Sequence, residues 1–269
     1  MRLVDIHTHL NYPPLSEDVN GVIARAKEAG VKRIIANGTT PQANRKVLLY
    51  AKKYDEVRAA LGFYPTHIPE FSQDDFLTEL DFIKQQKKDI VALGEVGLDK
   101  KFAPEDIHTS LNPRVYKQSK EELFKKQVWG FEHIISLAEK TKLPVITHTR
   151  KAEQDVFDMF ESSSLSPSQI ILHCFTGKKR LVKQARDNGW NFSVPVSVIK
   201  LQQFQELVKE TSLSQLFTET DAPFLGPVPG KPNEPANVSL SIQKIAELKK
   251  STPEETADHI FMNYMKTFG

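Results

Sequence analysis

Short apolar and β-branched runs punctuate the chain at 2–7, 32–37, 57–63, 90–96, 143–149, 169–174, 190–194 and 215–220. Each reads as a strand buried on both faces rather than as a half-exposed strand of alternating polarity. Between these runs lie stretches of helical period, such as Asp18 to Ala29, Gln42 to Lys53 and Phe76 to Lys87. In the last of them Phe76, Leu77, Leu80 and Ile83 recur at the spacing that lines one helix face. Phe124, Val128, Phe131, Ile135 and Ala138 form another such stripe, and segments 237–250 and 254–267 read as closing helices. Strands alternating with helices imply parallel βαβ units.

Eight such units in 269 residues predict one domain, residues 1–269, folded as a TIM (β/α)8 barrel, an architecture that usually takes about 250 residues. An open doubly wound sheet is the alternative, but the first strand lacks the glycines of a dinucleotide-binding turn. The Pro- and Gly-rich segment from Pro223 to Pro235 is expected as a long loop on one face of the barrel.

Composition narrows the function classes. With 36 basic and 34 acidic residues the net charge is +2, so no global positive field holds a polyanion and any nucleic-acid contact must be local. Cys174 is the single cysteine, which excludes an internal disulfide and agrees with a reducing compartment. Asp5 interrupts the apolar N-terminus, so it does not read as a signal peptide. No apolar run approaches the roughly 20 residues of a membrane span. The expectation is a cytoplasmic protein, monomeric because no apolar surface stripe announces a partner.

Parallel barrels place their chemistry at the C-terminal ends of the strands. There the first strand ends in His7-Thr8-His9, the fourth in Gly94-Glu95, the fifth in Thr147-His148, the sixth in Leu172-His173 and the eighth in Thr220-Asp221. His7 and His9 project to the same side of an extended segment, so both imidazoles reach one ion. A lone His-x-His pair occurs on ordinary surfaces. Four of the eight histidines at strand ends, together with Glu95 and Asp221, are harder to obtain by accident. Six ligands exceed the need of one four-coordinate ion, so two cations bridged by a carboxylate is the economical reading, with Glu95 as the bridge. Such a pair activates a water for hydrolysis. No Gly-x-Ser-x-Gly elbow competes for a covalent mechanism.

These residues sit in segments that resemble the TatD-type metal-dependent hydrolases, within the wider amidohydrolase-like barrels. The segments are Asp5–Leu10, Leu61–His67, Leu93–Asp99, Leu143–Arg150, Leu172–Gly177, Glu219–Leu225 and Asn233–Ala236. The resemblance implies that His7, His9, Glu95 and Asp221 hold one metal and that Glu95, His148 and His173 hold the other. It also implies that Asp221 accepts a proton from the attacking water. It further implies magnesium-dependent nuclease activity, a deoxyribonuclease trimming DNA from the 3′ end. Two departures stand out: Lys100 and Lys101 replace the aromatics that commonly follow Gly-Leu-Asp, ahead of a long stretch to Gln127, and Pro232 replaces a basic residue before Asn233-Glu-Pro.

Other residues carry two readings each. Arg150 is placed to bind a substrate phosphate bidentately or to pair with a loop carboxylate. His67, at the end of the third strand, is placed to contact substrate oxygen or to support a ligand. Lys100 offers a substrate contact or a solvated charge. Glu219 shares its strand face with Asp221 and is placed to hold an additional cation or, the favoured reading, to orient a ligand. Lys178, Lys179 and Arg180, at the start of a helix where backbone amides bind phosphate, offer a phosphate contact or, the favoured reading, a solvated basic run, and His108, His133 and His259 read as structural or solvent-facing. Cys174 is expected to point into packing on the far side of the sixth strand.

Imidazole-rich ligation favours Zn²⁺, Ni²⁺ or Mn²⁺ by affinity, whereas the resemblance implies Mg²⁺ or Mn²⁺ in turnover. DNA or another phosphodiester is the expected substrate. A small amide, lactone or phosphoester is the alternative, although Glu95 occupies the place where related barrels often carry a bridging modified lysine. A non-catalytic metal-stabilised binding protein is the third reading, and the complete ligand set argues against it.

Overall fold

In the computed structural model, which describes residues 1–102 and 118–269, the strands are β1 (Leu3–Thr8), β2 (Val31–Asn37), β3 (Val57–Leu61), β4 (Ala92–Asp99), β5 (Val145–Arg150), β6 (Ile170–Leu172), β7 (Asn191–Val194) and β8 (Leu216–Thr218). They form one sheet in sequence order with every neighbouring pair parallel. The sheet curls into the expected barrel. Its closing seam is carried by the bridge Thr8 to Ala222 and by the Thr218 hydroxyl, which donates to the Val4 carbonyl at 2.6 Å.

The helices packed outside the sheet are α1 (Val19–Glu28), α2 (Pro41–Lys53), α3 (Gln73–Gln85), α4 (Lys120–Thr141), α5 (Glu153–Glu161), α6 (Lys179–Asp187), α7 (Gln202–Glu210), α8 (Val238–Lys249) and α9 (Pro253–Phe268). Their starts are written locally. Asp18, Thr40 and Ser72 accept from the backbone three residues on, and Ser119 and Thr252 form reciprocal capping boxes with Glu122 and Glu255, each satisfying amides that the first turn leaves unpaired. The predicted stripe on α4 buries Phe131, Ile135 and Ala138, while Phe124 and Val128 pack at its edge.

Both faces of most strands are covered. Leu3, Ile6, Ile34, Ala60, Leu93, Val145, Ile171 and Leu216 are 0–1% exposed, which is why these runs are continuous rather than alternating. The strand ends are the exception: there buried polar side chains replace aliphatic ones. His108 and most of the stretch after Lys101 lie outside the described residues.

Candidate metal centre

The site begins at Asp5. Its carboxylate accepts from the His7 amide at 3.2 Å, from the Thr220 amide at 3.0 Å and from the Thr220 hydroxyl. Complete burial raises this carboxyl to about 8, against the pull of those hydrogen bonds. The Asp221 amide donates to the His7 carbonyl at 2.9 Å and the His9 amide to the Ala222 carbonyl at 2.7 Å. Residues 7–9 and 220–222, at opposite ends of the chain, are thereby laced into one rigid piece. Asp221 sits at φ +55°, a left-handed conformation that an aspartate tolerates better than most side chains.

Glu95 enters from β4, where Gly97, at φ +138°, lets the strand press against β5: a Cβ there would stand 2.0 Å from the His148 carbonyl oxygen. The two oxygens of Glu95 face different histidine pairs. Oε2 lies 3.5 Å from His7 Nε2 and 3.3 Å from His9 Nε2. Oε1 lies 3.0 Å from His148 Nδ1 and 3.3 Å from His173 Nε2. Asp221 Oδ1 completes the first side, 3.6 Å from His7 Nε2 and 3.5 Å from His9 Nε2. Two triads of ligand-type atoms, His7-His9-Glu95 and Glu95-His148-His173, thus share one carboxylate, and a third, His7-His173-Glu219, lies beside them.

The far ring nitrogens of His9, His148 and His173 hold those imidazoles in place. His9 Nδ1 donates to the Asn37 carbonyl at 3.3 Å, His173 Nδ1 to Glu219 Oε2 at 3.1 Å, and His148 Nε2 to Asp99 Oδ2 at 3.2 Å. Each bond leaves the opposite nitrogen turned inward, as carboxylate or carbonyl partners do for metal-binding histidines. His7 stacks on His173 with centroids 3.8 Å apart, and its inward Nε2 stands only 3.3 Å from His9 Nε2. Two imidazole nitrogens this close, both aimed at the same carboxylate oxygen, make a donor set suited to a divalent cation.

Charge within the cluster is strongly coupled. Burial opposes the anionic form of Glu95, yet His7, His148 and His173 together hold it well below the usual carboxylate range. Burial likewise opposes protonation of His9, but Asp221 and Glu95 outweigh it and lift the ring to about 9. His148 is raised by Asp99 and Glu95 against its burial, and His173 well above its ordinary value by Glu219 and Glu95. His7 goes the other way, lowered by burial and by the neighbouring His173. Divalent cations and protons therefore compete for the same inward nitrogens.

Beyond the cluster, Glu219 is fully buried and braces His173, with a second hydrogen bond from the Ser193 hydroxyl. Arg150 ends β5 exposed, and among the described residues no carboxylate pairs with it. Lys100 is engaged: its ammonium meets Asp155 Oδ2 at 2.6 Å and lies over the Phe124 ring. His67 falls not on β3 but in the 3₁₀ turn Pro65–Glu70 that follows it, edge-on to the Tyr64 ring. Cys174 lies past the end of β6 at φ +44° rather than on the strand, because the chain turns left-handed directly after His173. Lys178, Lys179 and Arg180 are exposed at the start of α6, His259 is exposed on α9, and His133 bonds the Trp129 carbonyl within α4.

Sequence reasoning passed over Asp5, Asp99 and Tyr64 as members of the site. The Tyr64 hydroxyl stands 3.4 Å from Asp99 Oδ2 and 3.5 Å from His148 Nε2. The usable signal was an acidic residue inside an otherwise apolar strand, as in Val4-Asp5-Ile6 and Leu98-Asp99, since a carboxylate is buried only where partners await it.

Comparison with known proteins agrees with this geometry. The family model described as TatD related DNase matches residues 4–269. The Bacillus subtilis protein YabD, an uncharacterized metal-dependent hydrolase, is 32% identical over 270 residues, covering 99% of this chain and 98% of its own. Human deoxyribonuclease TATDN3 is 32% identical over 273 residues, covering 99% and 94%. The crystal structure of YJJV, a TatD homolog from Escherichia coli, superposes with a TM-score of 0.82 at 25% identity, covering 99% and 97%. This chain belongs to the TatD family of metal-dependent hydrolases.

Proposed function

We propose that the chain, acting as one monomeric domain over residues 1–269, is a deoxyribonuclease that hydrolyses phosphodiester bonds at DNA ends from the 3′ side. In this reading His7, His9, Glu95 and Asp221 hold one divalent ion, and Glu95, His148 and His173 the other. The observation that carries it is the division of Glu95, with one oxygen toward each pair of histidines. The name of the human relative supports DNA as substrate. Mg²⁺ or Mn²⁺ is proposed for turnover, with Zn²⁺ or Ni²⁺ binding more tightly to the imidazoles.

Bound divalent cations supply a lowered pKa for a water and neutralise charge on the phosphodiester. Asp221 is the proton acceptor. Its side chain is 16% exposed against 4% for Glu95, so it alone of the two carboxylates opens toward incoming water. As the water oxygen bonds to phosphorus and the ester P–O bond breaks, Asp221 takes the water proton and returns it to the leaving alkoxide. Arg150 orients the phosphate from the rim by paired N–H donors. His67 and Lys100 make secondary contacts, Lys100 only after parting from Asp155. The buried floor around His7, His9 and Glu95 excludes bulk water and so strengthens the electrostatic interactions made there, whereas the contacts of Arg150 and Lys100 stay open to solvent.

The deciding measurement is turnover of the metal-loaded protein on single-stranded DNA, RNA and small ester and amide substrates. DNA hydrolysis is expected, abolished by chelator and by Asp221→Asn. Turnover restricted to small esters or amides, or DNA hydrolysis that persists in Asp221→Asn, overturns the proposal.

A further inference from the structure

The loop after Asp221 displays apolar surface that the metal chemistry does not use. Phe224, Leu225 and Val228 are 49%, 41% and 49% exposed, all on the segment leading from β8 out to the mouth. Phe224 is three residues from Asp221 and stands beside the cluster itself. Its ring centroid lies 6.0 Å from that of His9 and 6.1 Å from that of Tyr12, tilted edge-to-face against both. Tyr12 in turn stacks on His9 at 5.1 Å and is pinned through its hydroxyl to Thr39 at 2.8 Å.

The phenyl group is held rather than loose. The Phe224 amide donates to the Asp221 carbonyl at 2.8 Å, the Asn233 amide to the Pro223 carbonyl at 2.9 Å, and the Asn233 side chain to the Thr220 carbonyl at 2.7 Å. These bonds tie the ring's position to that of Asp221. An aromatic ring half open to water, fixed beside a phosphodiester site, is a ready stacking surface for a nucleobase, because every base has a π-face. Arg150, at the end of β5, is three strands away from β8 in the strand order, with β6 and β7 between them. A strand end would therefore be gripped by its base on one side and by a phosphate on the other.

Resting on the phosphodiesterase reading above, we infer that Phe224 is the specificity-determining residue of the site, stacking the base of an unpaired terminal nucleotide. A paired base keeps its faces against its duplex neighbours and cannot use the ring.

Two measurements test this. On a single-stranded oligonucleotide, Phe224→Ala raises KM about 10-fold with kcat little changed. On the same oligonucleotide with an abasic terminal nucleotide, wild type and Phe224→Ala match within about 2-fold. Phe224→Trp restores the low KM, and its added tryptophan emission is quenched by the intact oligonucleotide but not by the abasic one. An equal KM change on both substrates, or none on either, overturns the inference, as does an indole whose emission the intact strand leaves unchanged. The quenching needs no turnover: quenching without hydrolysis of any phosphodiester sinks the catalytic reading and sustains the stacking one.

Discussion

At the floor of the mouth His7, His9 and His173 are at most 5% exposed and Glu95 is 3% exposed, each tied by two or more polar partners. At the rim, Arg150 and Phe224 stand open and Lys100 is held by one surface ion pair. The two regions answer to different physics. On the floor every nitrogen and oxygen is desolvated, so removing one partner leaves another buried and unpaired, at a cost of several kcal/mol. On the rim water substitutes for whatever is removed, and an exposed charge or ring contributes only about 1 kcal/mol. The floor is thus rigid and intolerant, while the rim is free to set which substrate arrives.

That contrast breaks first, if it is wrong, at Glu95. Glu95→Gln is expected to lower kcat/KM by about 10³-fold or more, and the metal content measured on the purified protein should fall below two ions per chain. Loss of activity with both ions retained would separate the carboxylate's charge from its proposed bridging role. Asp99→Asn comes next. His148, proposed as a ligand, survives but loses its support from Asp99, and metal affinity by titration should weaken about 10- to 100-fold.

The rim effects are smaller. Arg150→Ala should raise KM about 10-fold with kcat nearly constant, and flatten the salt dependence of binding by about one counterion. Glu70, on the 3₁₀ turn beside His67, tests stability rather than catalysis. Burial raises its carboxyl from 4.5 to about 7. An acid whose folded value is raised loses its proton first in the unfolded chain. The native state therefore loses stability as pH climbs from about 4.5 to 7, and the loss stays complete above 7. The shift corresponds to at most about 3 kcal/mol, and local relaxation that hydrates the carboxyl leaves about 1 kcal/mol expected. Glu70→Gln should accordingly raise Tm by about 2 °C at pH 8 and by little near pH 4.5, measured by thermal melts across that range. Lys100→Ala should move KM by only about 2-fold, because Asp155 already occupies the ammonium.

Much of the fold could be read along the chain because its signals are local. The eight apolar runs and the stripe at Phe131, Ile135 and Ala138 report backbone preferences within a few residues. Boundaries drifted where context intervened. The sixth run, 169–174, yields a strand only over Ile170–Leu172, because the chain must turn out of the sheet to aim His173 at Glu95. The third run, 57–63, stops at Leu61, and Pro65 begins the turn that carries His67.

The amino-acid sequence alone determined the barrel and the kinds of atoms at its mouth, because periodicity specifies which strand faces are buried and strand ends specify where polar residues gather. Only the tertiary structure decided how those atoms divide. That Glu95 Oε2 faces His7 and His9 while Oε1 faces His148 and His173 depends on β1, β4, β5 and β6 curving to one centre. That Asp99 braces His148, that Asp155 takes Lys100 and that Phe224 is left open depend on contacts of a few ångströms between residues far apart in the chain. Spacing along a strand carries direction; distance across a barrel is set only when the strands close.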